Sequence, residues 1–225
     1  MGKRGLFITF EGGEGSGKTS ISKGVGEWLK NVVKKDYILT KEPGSPHDDA
    51  CLALRKVLLD PEIKVCFESE MFILMADRYN HVNNVVLPAL NKNKIVLSDR
   101  YMDSTFAYQG FGRRRGEPSQ LKYITETNQR ATMGLVPDLT VLVMVKPEVG
   151  LARSGTKEFG KKDHFEKETL EFHQRVYDGF ATAYEKRGNR TFFLIDSTVK
   201  SEKQCLAEVI DFLNNFLERK LNLGE

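Results

Sequence analysis

Cysteine is scarce in this chain of 225 residues. Cys51, Cys66 and Cys205 are odd in number and show no C-x-x-C spacing, so neither a disulfide framework nor a thiolate zinc cluster is expected. Long apolar runs are missing too. No window approaches the length that crosses a bilayer, and Met1-Gly2-Lys3-Arg4-Gly5 passes into an apolar segment with no cleavable leader. The chain therefore reads as soluble and cytoplasmic, with no membrane partner. Charge of one sign is not concentrated anywhere: 34 Lys and Arg stand against 31 Asp and Glu, and the surplus is spread along the chain, which gives no reason to expect a nucleic-acid partner. His47, His81 and His173 lie scattered without ligand spacing, so the chain is not expected to build a metal centre of its own. Internal repeats and low-complexity linkers are likewise absent. What remains is a chain of one-domain length with 40% hydrophobic residues, enough for a core.

That apolar content is distributed as short unbroken runs separated by helical periodicities. Leu6–Phe10, Tyr37–Thr40, Lys94–Ser98, Leu139–Val145 and Phe192–Ile195 read as strands. Between them, helices are expected from about Ile21 to Val32, around Leu52–Leu58, from Phe67 to Leu90 with a bend at Pro88, from Leu121 to Met133, from Pro147, from Phe165 to Lys186, and from Ala207 to Leu221. Trp28 and the stripe Phe212, Leu213, Phe216 and Leu217 are expected in the core. Apolar strands alternating with helices imply a parallel sheet covered on both faces, with ligands beyond the carboxyl ends of the strands. The loops after residues 10, 40, 98, 145 and 195 are therefore the places for a site.

Two of those loops carry chemistry. The first is Gly12-Gly13-Glu14-Gly15-Ser16-Gly17-Lys18-Thr19, a G-x-x-x-x-G-K-[ST] phosphate loop between a strand and a helix, the context the motif requires. Its glycines let backbone N–H groups turn onto an anion, Lys18 reaches the β and γ phosphates, and the Thr19 hydroxyl can ligate Mg2+. The second follows the third strand. Asp99 closes an apolar run as an acid that orients magnesium would, and Arg100 could take a second phosphate bidentately. An Asp-Arg pair at a strand end is also explained by a solvated ion pair or a helix cap.

The pair continues as Asp99-Arg100-Tyr101-Met102-Asp103-Ser104-Thr105-Phe106-Ala107-Tyr108-Gln109-Gly110. With Phe10-Glu11-Gly12-Gly13-Glu14, Thr40-Lys41-Glu42-Pro43-Gly44, Arg78, Pro137-Asp138-Leu139-Thr140, Pro147–Leu151 and Asp163-His164-Phe165-Glu166, in this order and spacing, the chain resembles the bacterial branch of the thymidylate kinases across nearly its whole length. The resemblance implies a single P-loop domain over residues 1–225, three-layered α/β/α, with a five-stranded parallel sheet of order 2-3-1-4-5 and a short lid at about 153–163. It implies transfer of the γ-phosphoryl of ATP to dTMP, with ATP and Mg2+ as cofactors, in a homodimer packed through helices.

By the same resemblance, Gly12, Gly13, Glu14, Gly15, Ser16, Gly17, Lys18 and Thr19 hold ATP, and Thr19 and Asp99 serve the metal. Lys18, Asp99, Arg100 and Arg153 carry the catalysis. Glu14, Glu42, Pro43, Leu74, Arg78, Arg100, Ser104, Thr105, Tyr108 and Gln109 form the acceptor site, with Arg78 reading the base edge and Arg100 the phosphate, and Asp196–Val199 passes near the adenine. Phosphoryl transfer needs a cation delivered to the moving oxygens. The phosphate loop has none besides Lys18, and the resemblance implies that the lid, Arg153–Lys162, supplies it. Two features depart from the family pattern: the lid is rich in lysine and His164 after it stands where arginine is frequent, and Leu74 replaces a phenylalanine that stacks on thymine. The second departure predicts looser base selectivity, unless Phe72 or Met75 compensates. A kinase of broader acceptor range, a P-loop ATPase or switch without a small acceptor, and an inactive binding protein are the competing readings. Asn91-Lys92-Asn93-Lys94 lacks the Asp of a guanine reader, and intact Lys18, Thr19, Asp99 and Arg100 argue against inactivity.

Overall fold

The computed structural model describes residues 4–155 and 168–222. Five strands, β1 (Phe7–Glu11), β2 (Tyr37–Lys41), β3 (Ile95–Asp99), β4 (Leu139–Met144) and β5 (Phe192–Asp196), pair in parallel in the order β2-β3-β1-β4-β5. The register aligns Phe10 with Asp99 and with Val141, so the carboxyl ends of the central strands reach one edge together. β1 and β4 are buried along their whole length, which is why they read as uninterrupted apolar runs.

Helices cover both faces. On one, Trp28 and Leu29 of α1 (Lys18–Trp28, continued by a π-helical segment Leu29–Val33) pack with Val209, Leu213, Phe216 and Leu217 of α9 (Glu202–Asn222) against Ile8, Phe10 and Val141. On the other, Phe7 and Val96 meet Val82, Val86, Leu90 and Tyr101. Farther along that face, Leu142 and Met144 meet Phe172, Val176 and Phe180 of α8 (Leu170–Glu185). The expected stripe on α9 is thus buried as read, with Phe212 only partly so.

Between β2 and β3 run α2 (Asp49–Leu59), α3 (Phe67–His81), a π-helical turn Val82–Val86, and α4 (Leu87–Asn91). The expected Phe67–Leu90 helix is therefore continuous in course, but its irregularity lies one turn before Pro88. Pro88 has no N–H to close an α-turn, and the widened turn precedes it. After β3 the chain enters α5 (Met102–Thr105) and a π-helical segment, Phe106–Arg113, which sequence periodicity did not indicate. α6 (Pro118–Ala131) precedes β4, and α7 (Pro147–Gly155) follows it. Among the described residues no helix is long and apolar enough to cross a membrane.

Candidate active site

The loop between β1 and α1 turns back over the sheet's carboxyl edge through Gly15, at φ +66°. A Cβ there would lie 2.0 Å from the carbonyl oxygen of Gly150, so only glycine lets the loop lie against the first turns of α7. Lys18 opens α1, almost fully buried, and its Nζ donates to the Gly13 carbonyl at 3.2 Å. Burial and, next, the Arg100 charge depress its pKa, and Glu14 and Asp99 oppose the shift. The Thr19 hydroxyl donates to Asp99 Oδ2 across the gap between α1 and β3.

Two oxygens at this edge, Ser16 Oγ and Asp99 Oδ1, are buried without a hydrogen-bond partner. Buried polar atoms are normally satisfied. The orphan on Asp99, whose other oxygen meets Thr19, suits a hard, oxygen-seeking divalent cation shared with phosphate oxygens. Among the described residues no group of three His, Cys, Asp or Glu could hold a metal by itself. Thr19 and Asp99 thus fit a magnesium ion that a nucleotide brings with it.

Arg100 stands at φ +74°, its backbone N–H donating to Phe10 O at 2.9 Å. Its Nη1 donates to Gly12 O and Ser104 Oγ, each at 3.1 Å. Its Nη2 donates to Glu14 Oε1 at 2.6 Å and to the Tyr108 hydroxyl at 3.2 Å, and that hydroxyl in turn donates to Glu14 at 2.9 Å. Burial works against the charge on Glu14, but Arg100, then Lys18 and the Tyr108 hydroxyl, overcome it and hold the carboxyl down at about 2. Arg100, Glu14 and Tyr108 therefore form a charged knot directly above the phosphate loop.

A cleft of about 320 Å³ opens between the phosphate loop and α3, and both Lys18 and Arg100 line it. Glu14, Thr19, Glu42, Pro43, Leu74, Arg78, Asp99, Ser104, Thr105, Tyr108 and Gln109 line it as well, so the cleft unites all ten acceptor-site residues expected from sequence with Lys18 and Thr19. Its far wall is a buried polar network. Glu42 accepts from Arg78 Nε at 2.8 Å and pairs with His81 Nδ1 at 2.7 Å, while His81 Nε2 meets Thr40 Oγ1 at 2.9 Å. Arg78 spends its remaining N–H groups on Thr105 Oγ1, Asn128 Oδ1, the Tyr101 carbonyl and Glu42. The side chain expected to read a base edge thus makes a hydrogen bond within the wall from each of its three guanidinium nitrogens. Gln109 is held by Glu70, its Nε2 donating at 2.8 Å.

Arg153 is placed elsewhere. In the last turn of α7 it donates to the carbonyls of Ser197 and Thr198 at 2.9 and 3.0 Å, tying α7 to the segment after β5, and it is not among the residues that line the cleft. Residues 156–167, with most of the expected lid and His164, lie outside the described residues. Sequence reasoning missed Glu11, which is wholly buried and braces Tyr101 and Ser104. The signal that selected Asp99, an acid closing an apolar strand, applies equally to Glu11. Lys41, Arg55 and Asp77 in the cleft lining were missed too, for want of a local pattern.

A phosphate loop and an opposing arginine that share one cleft, on a sheet of this order, define a P-loop protein built to hold two phosphate-bearing ligands face to face. The comparisons narrow the class. Residues 10–209 match the family model described as thymidylate kinase. A thymidylate kinase of Carboxydothermus hydrogenoformans is 42% identical over 217 residues, covering 96% of this chain and 98% of that protein. One of Lactobacillus helveticus is 36% identical over 219 residues, with 97% and 98% covered. The crystal structure of thymidylate kinase from Ehrlichia chaffeensis superposes with a TM-score of 0.72 at 29% identity, covering 94% of this chain and 99% of that one. The chain belongs to the thymidylate kinase family.

Proposed function

We propose that this protein transfers the γ-phosphoryl group of ATP to dTMP, giving dTDP and ADP. The observation that carries the reading is the single cleft lined by both Lys18 and Arg100. The phosphate loop, Gly12–Thr19, holds the ATP phosphates through backbone N–H groups, with Lys18 following the transferring group. Magnesium, held by Thr19 and Asp99 with the nucleotide, would offset charge on the β and γ oxygens. Arg100 takes the acceptor phosphate. Its Nη2 is engaged by the anionic Glu14, so the acceptor dianion competes with that carboxylate for the guanidinium. Leu74 and the fixed wall of Glu42, Arg78, Thr105 and Gln109 shape the space for the base. Lys18 is the cation at the reacting oxygens among the residues that line the cleft, and Arg153 acts from the nucleotide side through the loop after β5. The working unit is a homodimer, and the cytoplasm, where ATP and magnesium are abundant, is its compartment.

Release of ADP from Mg-ATP, followed across the nucleoside monophosphates, tests the reading. Strong stimulation by dTMP is expected, whereas ATP hydrolysis indifferent to dTMP would replace the kinase with an acceptor-less ATPase. A second reading, broader acceptor range, is favoured by Leu74, which offers apolar contact to a base but no ring face. Measurable turnover of dUMP is expected, and its complete absence would remove that reading.

A further inference from the structure

Glu11 is the last residue of β1 and wholly buried, yet it has no part in the roles assigned above. An acid at such a position costs desolvation unless it is hydrogen-bonded, and this one is bonded only toward the acceptor side of the site. Its Oε1 accepts the backbone N–H of Tyr101 at 2.8 Å, and its Oε2 accepts the Ser104 hydroxyl at 2.5 Å. Ser104 Oγ in turn accepts from Arg100 Nη1 at 3.1 Å. Arg100 itself sits in left-handed backbone, held on its amino side by Phe10 O. The end of β1 therefore grips the Arg100 turn twice: the main chain of Phe10 holds its backbone, and the Glu11 carboxylate holds the turn after it and, through Ser104, its guanidinium. Strained backbone of this kind persists only where its surroundings over-determine it. Burial and, next, the charge of Asp103, itself tied in a bidentate pair to Arg190, push the Glu11 pKa up to about 7, while the Ser104 hydrogen bond and the cations Arg100 and Arg78 oppose the shift.

We propose that Glu11 is a positioning residue for the acceptor phosphate, which its carboxylate serves by fixing the Tyr101–Ser104 turn so that Arg100 faces the cleft. The proposal rests on the kinase reading and adds to it a residue that touches neither nucleotide. Glu11→Gln preserves volume but loses one acceptor, because its amide NH2 cannot take the Ser104 proton. Measured at about pH 8.5, where Glu11 is ionised, KM for dTMP is expected to rise on the order of tenfold or more, as for loss of a hydrogen bond to a charged group, with KM for ATP unchanged. Glu11→Asp, which keeps both acceptor oxygens on a shorter stem, is expected to fall between the two. Combined with Ser104→Ala, the Gln variant is expected to lose less than the sum of the single losses, since both act through one chain of contacts.

A uniform loss for both nucleotides, or strict additivity with Ser104→Ala, overturns the proposal, as does wild-type behaviour of E11Q. If E11Q does not fold, the same asymmetry is read from Glu11→Asp, and its absence there is equally fatal. Failure of the wild-type protein to turn over dTMP overturns the kinase reading itself. An active wild type whose variants show no asymmetry removes Glu11 alone.

Discussion

Burial opposes the charges of both Lys18 and Arg100, and each is held by oxygens that a phosphate would match. The Gly13 carbonyl holds Lys18, and Glu14 holds Arg100. Removal of either cation leaves a transferring or accepting phosphate without its donor, so Lys18→Ala and Arg100→Ala are each expected to lower kcat/KM by about a hundredfold or more. Steady-state kinetics on dTMP measures this, and near-normal efficiency in R100A would take Arg100 out of the site. A different cost falls on Asp77, whose buried carboxylate receives one hydrogen bond, from Gly44 N–H at 2.8 Å. Burial, and next the neighbouring Glu42 charge, push its pKa up to about 6 from 3.8. Because the folded protein holds this proton more tightly than the unfolded chain, the stability it contributes is complete below 3.8 and is lost as pH rises through about 6. Asp77→Asn keeps an acceptor for Gly44 and cannot ionise. Its stability relative to wild type is therefore expected to grow over that window, toward a ceiling of about 3 kcal/mol. Urea unfolding of both proteins between about pH 4 and about pH 8 measures the gap, and a constant gap would mean that Asp77 ionises normally.

At the scale of elements, α7 joins the phosphate loop to the segment after β5. Its residue Gly150 packs on the phosphate loop, and Arg153, one turn later, fastens the segment after β5. A Cβ on Gly150 would stand 2.3 Å from the Glu14 carbonyl oxygen, which belongs to backbone and cannot turn aside. Gly150→Ala should raise intrinsic helix propensity by about 1 kcal/mol while displacing the loop. Its kcat/KM is expected to fall by about tenfold to a hundredfold, because small misplacements of reacting groups are costly. Parallel thermal melts and kinetics check this, and unchanged kinetics would show that the loop yields freely. The same packing explains what could be read from sequence. All five strands were legible: β1, β3 and β4 because burial leaves unbroken apolar runs, and β2 and β5, half-buried at the edges of the sheet, because their apolar, β-branched and aromatic residues still form short runs; the sheet order followed from the family resemblance. Residues 106–113 were not legible as helix, because Gly110 and Gly112 look like breakers. Gly112 is there because α8 comes so close that a Cβ would meet the Phe172 ring at 2.7 Å. Helix starts were missed where caps, not periodicity, set them. Glu117 accepts from the N–H groups of Ser119 and Gln120 and so begins α6 at Pro118. Ser201 and Gln204 cap one another and begin α9 at Glu202, an S-x-x-Q signal the sequence contained. The sequence could not reveal the four acceptors that surround Arg78, because they come from distant stretches of the chain.

For the molecule as a whole, the face of α3 turned away from the cleft remains unaccounted for by a lone chain. Leu74 and Arg78 line the cleft, whereas Phe72, Ala76 and Tyr79, at i, i+4 and i+7, face outward, with Phe72 63% and Tyr79 48% exposed. Single exposed apolar residues are ordinary, but two aromatics in one helical stripe form a patch of the kind that protein interfaces use. A second copy seated there by two-fold symmetry would bury both aromatics and stiffen the helix that carries the acceptor wall. The wild-type protein is therefore expected to sediment as a dimer at micromolar concentration. Phe72→Glu combined with Tyr79→Glu places charges in the centre of that contact and is expected to yield a folded monomer. If pairing braces Leu74 and Arg78, the monomer also shows a higher KM for dTMP while KM for ATP, whose phosphate loop lies across the cleft from α3, stays as it was. Sedimentation equilibrium with kinetics on both substrates decides the matter. A wild-type monomer would remove the dimer, and a double variant that stays dimeric would move the interface to another face.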